Sequence, residues 1–154
     1  MFSLEMSKEQ KMIKSEFAKL VKDLVTDNAG EMEDKQEMPL DSVQKAWELG
    51  ASVSMVSEDL GGFGMDDSPI TTALILEELA YGDMAFAIAT TLPSLLISPI
   101  VSMGTEEQKN KYLPLFCTES YPACTMAINE PHFDFDVMDL QTTAKKKKGA
   151  YVLS

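Results

Sequence analysis

MAFAIATTLPSLLISPIVSMGT, residues 84–105, contains no charged side chain, and its reading decides the fold. A run of this length is in principle able to cross a bilayer. It also carries Thr90, Thr91, Pro93, Ser94, Ser98, Pro99 and Ser102. Each proline removes a donor and clashes with the preceding turn, so two helix breaks are expected. Lipid offers no partner for the carbonyls thus freed. The stretch therefore reads as two short helices buried on most sides, forming core or pocket wall rather than a membrane span.

The residues around it have the same helical character. Asp83 stands at the N-cap position of the first of these helices, and Gly104 is placed to end the second. Upstream, Ser68-Pro69 supplies an N-cap followed by proline at the first helical position, opening a helix through ITTALILEELAY to Gly82. Downstream, Thr105-Glu106-Glu107-Gln108 has the form of a capping box and starts a polar helix that closes near Pro114. Ser7-Lys8-Glu9-Gln10 repeats that box at the start of the chain. Ile13, Phe17, Leu20, Val21 and Leu24 then recur at helical spacing, predicting an amphipathic helix that ends before Gly30. Acidic residues 31–37 read as a solvated connection. A short helix follows Pro39, carries Val43, Ala46, Trp47 and Leu49 inward and stops at Gly50.

ASVSMVSEDLGGFGMDDS, residues 51–68, reads as an extended segment and a glycine loop. Gly61, Gly62 and Gly64 lack the lysine of a P-loop and the spacing of a dinucleotide fingerprint, so a tight surface connection is expected. Beyond Pro114 the period changes. Ala123 to Ile128 is a strand candidate, and QTTAKKKKGAYVL, residues 141–153, reads as strand, lysine-rich turn and strand. A hairpin and one strand cannot bury both faces alone. They must be completed by the helices, a second copy or a partner chain. The fold class expected is mainly α, with up to six helices in residues 1–120 and the opening strands of an incomplete β-domain in residues 121–154.

Composition narrows the function. A formal net charge of −12 argues against nucleic acid, whose phosphates reward clustered Lys and Arg, and disfavours an anionic membrane surface. The one basic block, Lys145 to Lys148, reads as a solvated hairpin turn. Cys117 and Cys124 lack the spacing of a zinc site and are too few for a disulfide scaffold. His132 is the sole histidine, which nearly excludes a His-based metal centre or a Ser-His-Asp triad, so no metal is expected. The opening MFSLEMSKEQ is polar and lacks a leader's apolar core, so a cytoplasmic location is expected.

TMAINEPHFDFD, residues 125–136, is the unusual stretch. An apolar run ends in Asn-Glu-Pro, as a strand entering a turn would. The turn then continues with His132, Phe133, Asp134 and Phe135 instead of the small residues that tight turns favour.

The order and spacing of SEDLGGFG, LEELAYGD, TLPSLLISPI, MGTEEQKNKYLP and AINEP resemble the acyl-CoA dehydrogenase family over essentially the whole chain. In that family an N-terminal helical domain, a middle β-domain and a C-terminal helical bundle follow one another. This chain resembles the first and the beginning of the second. The resemblance implies FAD as cofactor, acyl-CoA as substrate and oxidation to the 2,3-enoyl-CoA, with electron-transfer flavoprotein as the usual acceptor. The family's glutamate base lies in the C-terminal bundle and no residue here matches it. Glu77 and Glu78 fit better as helical residues, so no catalytic residue is assigned.

Two elements do carry over. The family's Ala-Leu-Thr-Glu-Pro strand end aligns with Ala127 to Pro131, which places Met126, Ala127, Ile128 and Asn129 along the flavin. The resemblance also implies an acyl-pocket wall at Thr90, Thr91, Leu95 and Ile97, for which plain helical core packing is the competing reading. After Glu-Pro the family continues Gly-Ala-Gly-Ser-Asp, where this chain has His132, Phe133, Asp134, Phe135 and Asp136. Phe135 occupies the position of the serine that offers a hydroxyl to the cofactor. The turn departs from the pattern locally, and weak or absent FAD binding by the isolated chain is expected. Two other readings stand beside an inactive dehydrogenase portion. One is an interaction or assembly module, as a homo-oligomer or with a partner chain completing the sheet. The other is an acyl-chain-binding domain.

Overall fold

The computed structural model describes residues 5–26, 29–65 and 68–154. The first four residues of the polar opening and Asp66-Asp67 of the glycine loop lie outside the described residues. Seven α-helices and one hairpin are present among the described residues: α1 Lys8–Leu24, α2 Ala29–Lys35, α3 Leu40–Glu48, α4 Pro69–Gly82, α5 Met84–Thr91, α6 Ser94–Met103, α7 Glu106–Tyr112, β1 Ala144–Lys147 and β2 Ala150–Leu153.

The caps read from the sequence form. Ser7 and Gln10 close a reciprocal capping box at α1, as do Thr105 and Gln108 at α7. Ser68 accepts from the Thr71 N–H ahead of Pro69, and Asp83 accepts from the Phe86 N–H at 2.7 Å. These bonds satisfy donors that a helix start leaves free.

Helices α1 and α4 pack closely because of one glycine. A Cβ on Gly82 would collide with the Val21 side chain, so a larger residue there would push the helices apart. Around that contact Phe17, Val21, Val25, Ile75, Leu79 and Phe86 form the larger core cluster. Lys14 of α1 reaches Glu77 at 2.9 Å and Glu78 at 3.0 Å on α4. Its pKa is raised, first by the bond to Glu77, and both acids are engaged in helix packing. A second cluster gathers Trp47, Val53, Val56, Ile97 and Leu113.

The structure corrects several local readings. Where a solvated connection is expected the chain forms α2, whose Glu31–Lys35 pair lies one turn apart on the exposed surface. Residues 51–56 form successive turns instead of an extended segment. Ala51, Val53 and Val56 reach the interior, with Val56 N–H bonded to Val53 O at 3.1 Å. Leu49 does not point inward and is exposed. Gly62 of the glycine loop is a close approach, because a Cβ there would meet the Val56 carbonyl oxygen. That packing contact explains the glycine without a phosphate.

The uncharged stretch breaks once. Residues 92–93 separate α5 from α6, whereas Pro99 sits inside α6. No single helix among the described residues is long and apolar enough to cross a membrane. Phe86, Ala87, Thr90 and Ile97 face the core and Met84, Ile88, Leu95 and Met103 are exposed, while most of the remaining side chains of the pair are half-buried.

Beyond the helices, Ala123–Ile128 joins no strand ladder among the described residues, although the expected hairpin forms. Its two-residue turn is Lys148-Gly149, both with positive φ (51° and 84°), and Lys145 to Lys147 lie within β1. The lysine block is thus mostly strand, because the tight turn takes two residues and Gly149 must be one of them.

Candidate functional site

The C-terminal segment leaves the helical body through a polar clamp. Gln44 of α3 donates to the Glu119 carbonyl at 2.6 Å and accepts from the Tyr121 N–H at 2.8 Å. Trp47 donates its indole N–H to the Thr118 carbonyl at 2.9 Å and meets the Tyr121 ring edge-on at 5.8 Å. The Tyr121 hydroxyl then donates to the Ala89 carbonyl of α5 at 2.5 Å. Burial, with the neighbouring Cys124, raises the Tyr121 pKa and keeps the phenol protonated for that bond. Burial likewise raises the Cys117 and Cys124 thiols, which are free.

From this anchor the chain runs to Glu130 with Cys124 and Met126 half-buried and Ala123, Thr125 and Ala127 exposed. That alternation is the period of an extended chain with one face covered. Glu130 then turns back. Its carboxylate accepts the Gln141 N–H at 2.9 Å and the Thr142 N–H at 2.6 Å, closing the loop from 130 to 142. The side chain is 4% exposed, and His132 Nε2 lies 3.6 Å away. Hydrogen bonding from Thr142 and Gln141, with attraction from His132, holds the carboxyl below its ordinary range against the opposing effect of burial. Inside the loop the His132 and Phe135 rings meet edge-on at 6.4 Å, Asp136 accepts from the Met138 N–H at 2.9 Å, and Phe133 is fully exposed.

Apolar recesses lie elsewhere on the helical body. One of about 240 Å³ is lined by Met12, Phe17, Leu49, Met65 and Ile75. A more open groove of about 450 Å³ runs along α6 and α7, lined by Leu96, Ile100, Met103, Tyr112 and Phe116. No cluster of metal-ligating side chains occurs among the described residues.

The family profile described as acyl-CoA dehydrogenase, N-terminal domain, matches residues 7–120. The chain belongs to the acyl-CoA dehydrogenase family. It is 32% identical over 99% of its length to a probable medium-chain specific acyl-CoA dehydrogenase 2, mitochondrial, of Caenorhabditis briggsae, of which it covers 36%. Butyryl-CoA dehydrogenase of Megasphaera elsdenii superposes with a TM-score of 0.78 at 26% identity, over 99% of this chain and 40% of that one. An acyl-CoA dehydrogenase of Bacillus anthracis, solved with FAD, gives 0.72 at 31% identity over 99% and 26%. The chain therefore spans two fifths or less of these acyl-CoA dehydrogenases.

The residues aligned with the flavin-facing positions of the acyl-CoA dehydrogenase family are the run 126–129 and, beyond the Glu-Pro turn, Phe135. Met126 and Phe135 are half-buried, while Ala127, Ile128 and Asn129 are exposed. The residues aligned with the acyl-pocket wall are not gathered into one recess. Thr90 and Ile97 are fully buried, Ile97 within the cluster of Trp47, Val53, Val56 and Leu113. Thr91 bonds back to the Ala87 carbonyl at 2.7 Å, and Leu95 is 45% exposed. The recesses above are lined by other residues.

Two further features escaped the sequence reading. Thr90 Oγ1 is buried without a hydrogen-bond partner among the described residues, while its carbonyl accepts from Ser52 at 3.0 Å. The Glu130 clip spans eleven and twelve residues to its two donors, a separation that local patterning does not encode.

Proposed function

We propose that this chain derives from FAD-dependent acyl-CoA dehydrogenases, which oxidise acyl-CoA thioesters to the 2,3-enoyl-CoA, and that the isolated chain does not perform that oxidation. The observation carrying this reading is the self-closed turn at residues 130–136. The family's glycines would leave open backbone there, but His132 and Phe135 fill the turn with their own rings.

Charge argues the same way. Glu130, Asp134, Asp136 and Asp139 place four carboxylates between residues 129 and 142, with no lysine or arginine. Two like charges about 4 Å apart repel by roughly 1 kcal/mol in water and about 4 kcal/mol near a protein surface. The residues present do not fit a flavin diphosphate. Nor does any residue of the chain match the family's glutamate base, and Glu77 and Glu78 are held by Lys14. A second reading, an assembly module, is favoured by the hairpin, whose strands are exposed throughout.

The test is an absorption spectrum of the purified chain after incubation with FAD and exhaustive dialysis. A colourless protein is expected. A retained flavin band would overturn this proposal and make acyl-CoA oxidation the next assay.

A further inference from the structure

The helical body contains a small chamber whose lining differs from that of the apolar recesses. It lies between the turns at residues 51–56, α4 and α6, and has a volume of about 40 Å³. Hydroxyls dominate its lining: Ser54 of the turns, Ser68, Thr71 and Thr72 at the start of α4, and Ser94 and Ser98 of α6. Apolar side chains, buried Ala51 and Ile75 among them, close the rest of the wall. No charged side chain is among the described residues that line it. An ion would find no counter-charge there, and burying an unpaired charge is prohibitive. The chamber is also far smaller than the roughly 300 Å³ or more of a cofactor pocket.

The hydroxyls retain bonding capacity of both kinds. Ser52 donates its proton to the Thr90 carbonyl at 3.0 Å and accepts from Ser94 at 3.0 Å, so Ser94 has lone pairs left and no free proton. Ser98 is in the same state, its proton directed to the Met55 sulfur at 3.4 Å. Ser68 and Thr71 are the reverse. Their oxygens accept from the Thr71 N–H at 3.3 Å and from Gln10 Nε2 at 3.4 Å, and their own protons remain to be donated. Across one chamber α6 thus offers acceptors and the start of α4 offers donors, with Ser54 and Thr72 able to act in either sense.

We propose that this chamber is an internal water site, in which ordered water bridges α4, α6 and the turns at residues 51–56. Water is neutral, carries both donors and acceptors, and is small enough to enter: one molecule needs about 10–15 Å³ and roughly two to four polar partners. In such a site it makes bonds nearly as good as direct contacts, at a small entropic cost. Ser54, Met65, Thr71 and Ile75 line both the chamber and the neighbouring apolar recess, and mark the side from which the water exchanges with solvent.

This inference goes beyond the proposal above, and its readout is bound water rather than flavin colour, so the two fail separately. Magnetic relaxation dispersion of the water oxygen, recorded on the full chain, counts water molecules held longer than the protein takes to tumble. Hydroxyl protons that exchange with solvent do not mimic that signal, because the oxygen stays with the water. The wild-type chain is expected to show it. Thr72→Val with Ser98→Val removes a hydroxyl from each helix and narrows the chamber. The pair should reduce the amplitude by at least about one water, since small apolar cavities stay dry. Thr91→Val deletes a hydroxyl that bonds the Ala87 carbonyl outside the chamber, and should leave the amplitude unchanged. Helical circular dichroism establishes that each variant folds. If the double variant does not, Thr72→Val alone, which keeps the side-chain shape, carries the test with the same loss expected. The proposal is overturned by a wild-type signal no greater than surface hydration gives, by a folded Thr72→Val or double variant that keeps the full amplitude, or by an equal loss in Thr91→Val.

Discussion

Phe86 and Phe133 are the same residue in opposite situations. Phe86 has no exposed surface and sits at the N-terminus of α5, facing α1 and α4; Phe133 projects fully into solvent from the loop after Glu130. The regions they represent differ in the same way. In the helices, apolar residues at helical spacing meet across interfaces, and the helix caps are satisfied locally. From Ala123 onward most side chains are exposed, and order comes from a few polar bonds and the hairpin turn. Stability and surface have been divided between two parts of one chain: the helical body holds itself together, and the tail presents edges and apolar residues.

Truncating the two phenylalanines tests that division most strongly. Phe86→Ala should cost about 3–5 kcal/mol, through lost transfer energy and the cavity left behind. Phe133→Ala should stay within about 0.5 kcal/mol, as surface substitutions do. Urea unfolding followed by helical circular dichroism measures both. Similar losses would mean that the tail packs on the body in solution, and the comparison would collapse.

A smaller effect, of opposite sign, is expected inside the body. Thr90 Oγ1 is buried and unpartnered, so the fold carries the desolvation cost of that hydroxyl without a bond in return. Thr90→Val keeps the shape and removes the orphan, and should raise stability by about 1 kcal/mol in the same urea assay. A loss of stability would show that the hydroxyl is satisfied in solution.

How legible these features were in the sequence follows from the range of the interactions that make them. The four side-chain caps at Ser7, Ser68, Asp83 and Thr105 were readable because cap and recipient lie three residues apart. The family resemblance was readable because several motifs keep their spacing. α2 was missed because its residues are mostly charged and exposed, and periodicity reports only buried faces. Pro99, expected to break the stretch, lies inside α6. The turn at residues 132–135 was recognised as anomalous, yet its closure was not legible. Glu130 finds its donors at Gln141 and Thr142 across a loop whose path the sequence alone does not specify.

That clip gives the smallest and most local prediction, and it tests whether the tail has any order of its own. Bonding from Thr142 and Gln141 lowers the Glu130 pKa in the folded chain. A carboxyl lowered on folding contributes stability above its unfolded pKa and loses it as pH falls through the lowered one. The clip should therefore be closed at neutral pH and open in acid. Glu130→Gln removes the charge and one of the two acceptor oxygens, so protection of the Gln141 and Thr142 amides against hydrogen exchange should drop about tenfold at neutral pH. The same variant should lose the acid-dependent step in protection that the parent shows. Amides within β1 and β2 should change less, since the Lys148-Gly149 turn and the ladder hold the hairpin independently. If both proteins protect residues 141 and 142 equally, the loop is set by its own backbone, and Glu130 is a passenger in a turn shaped by His132, Phe135 and Asp136.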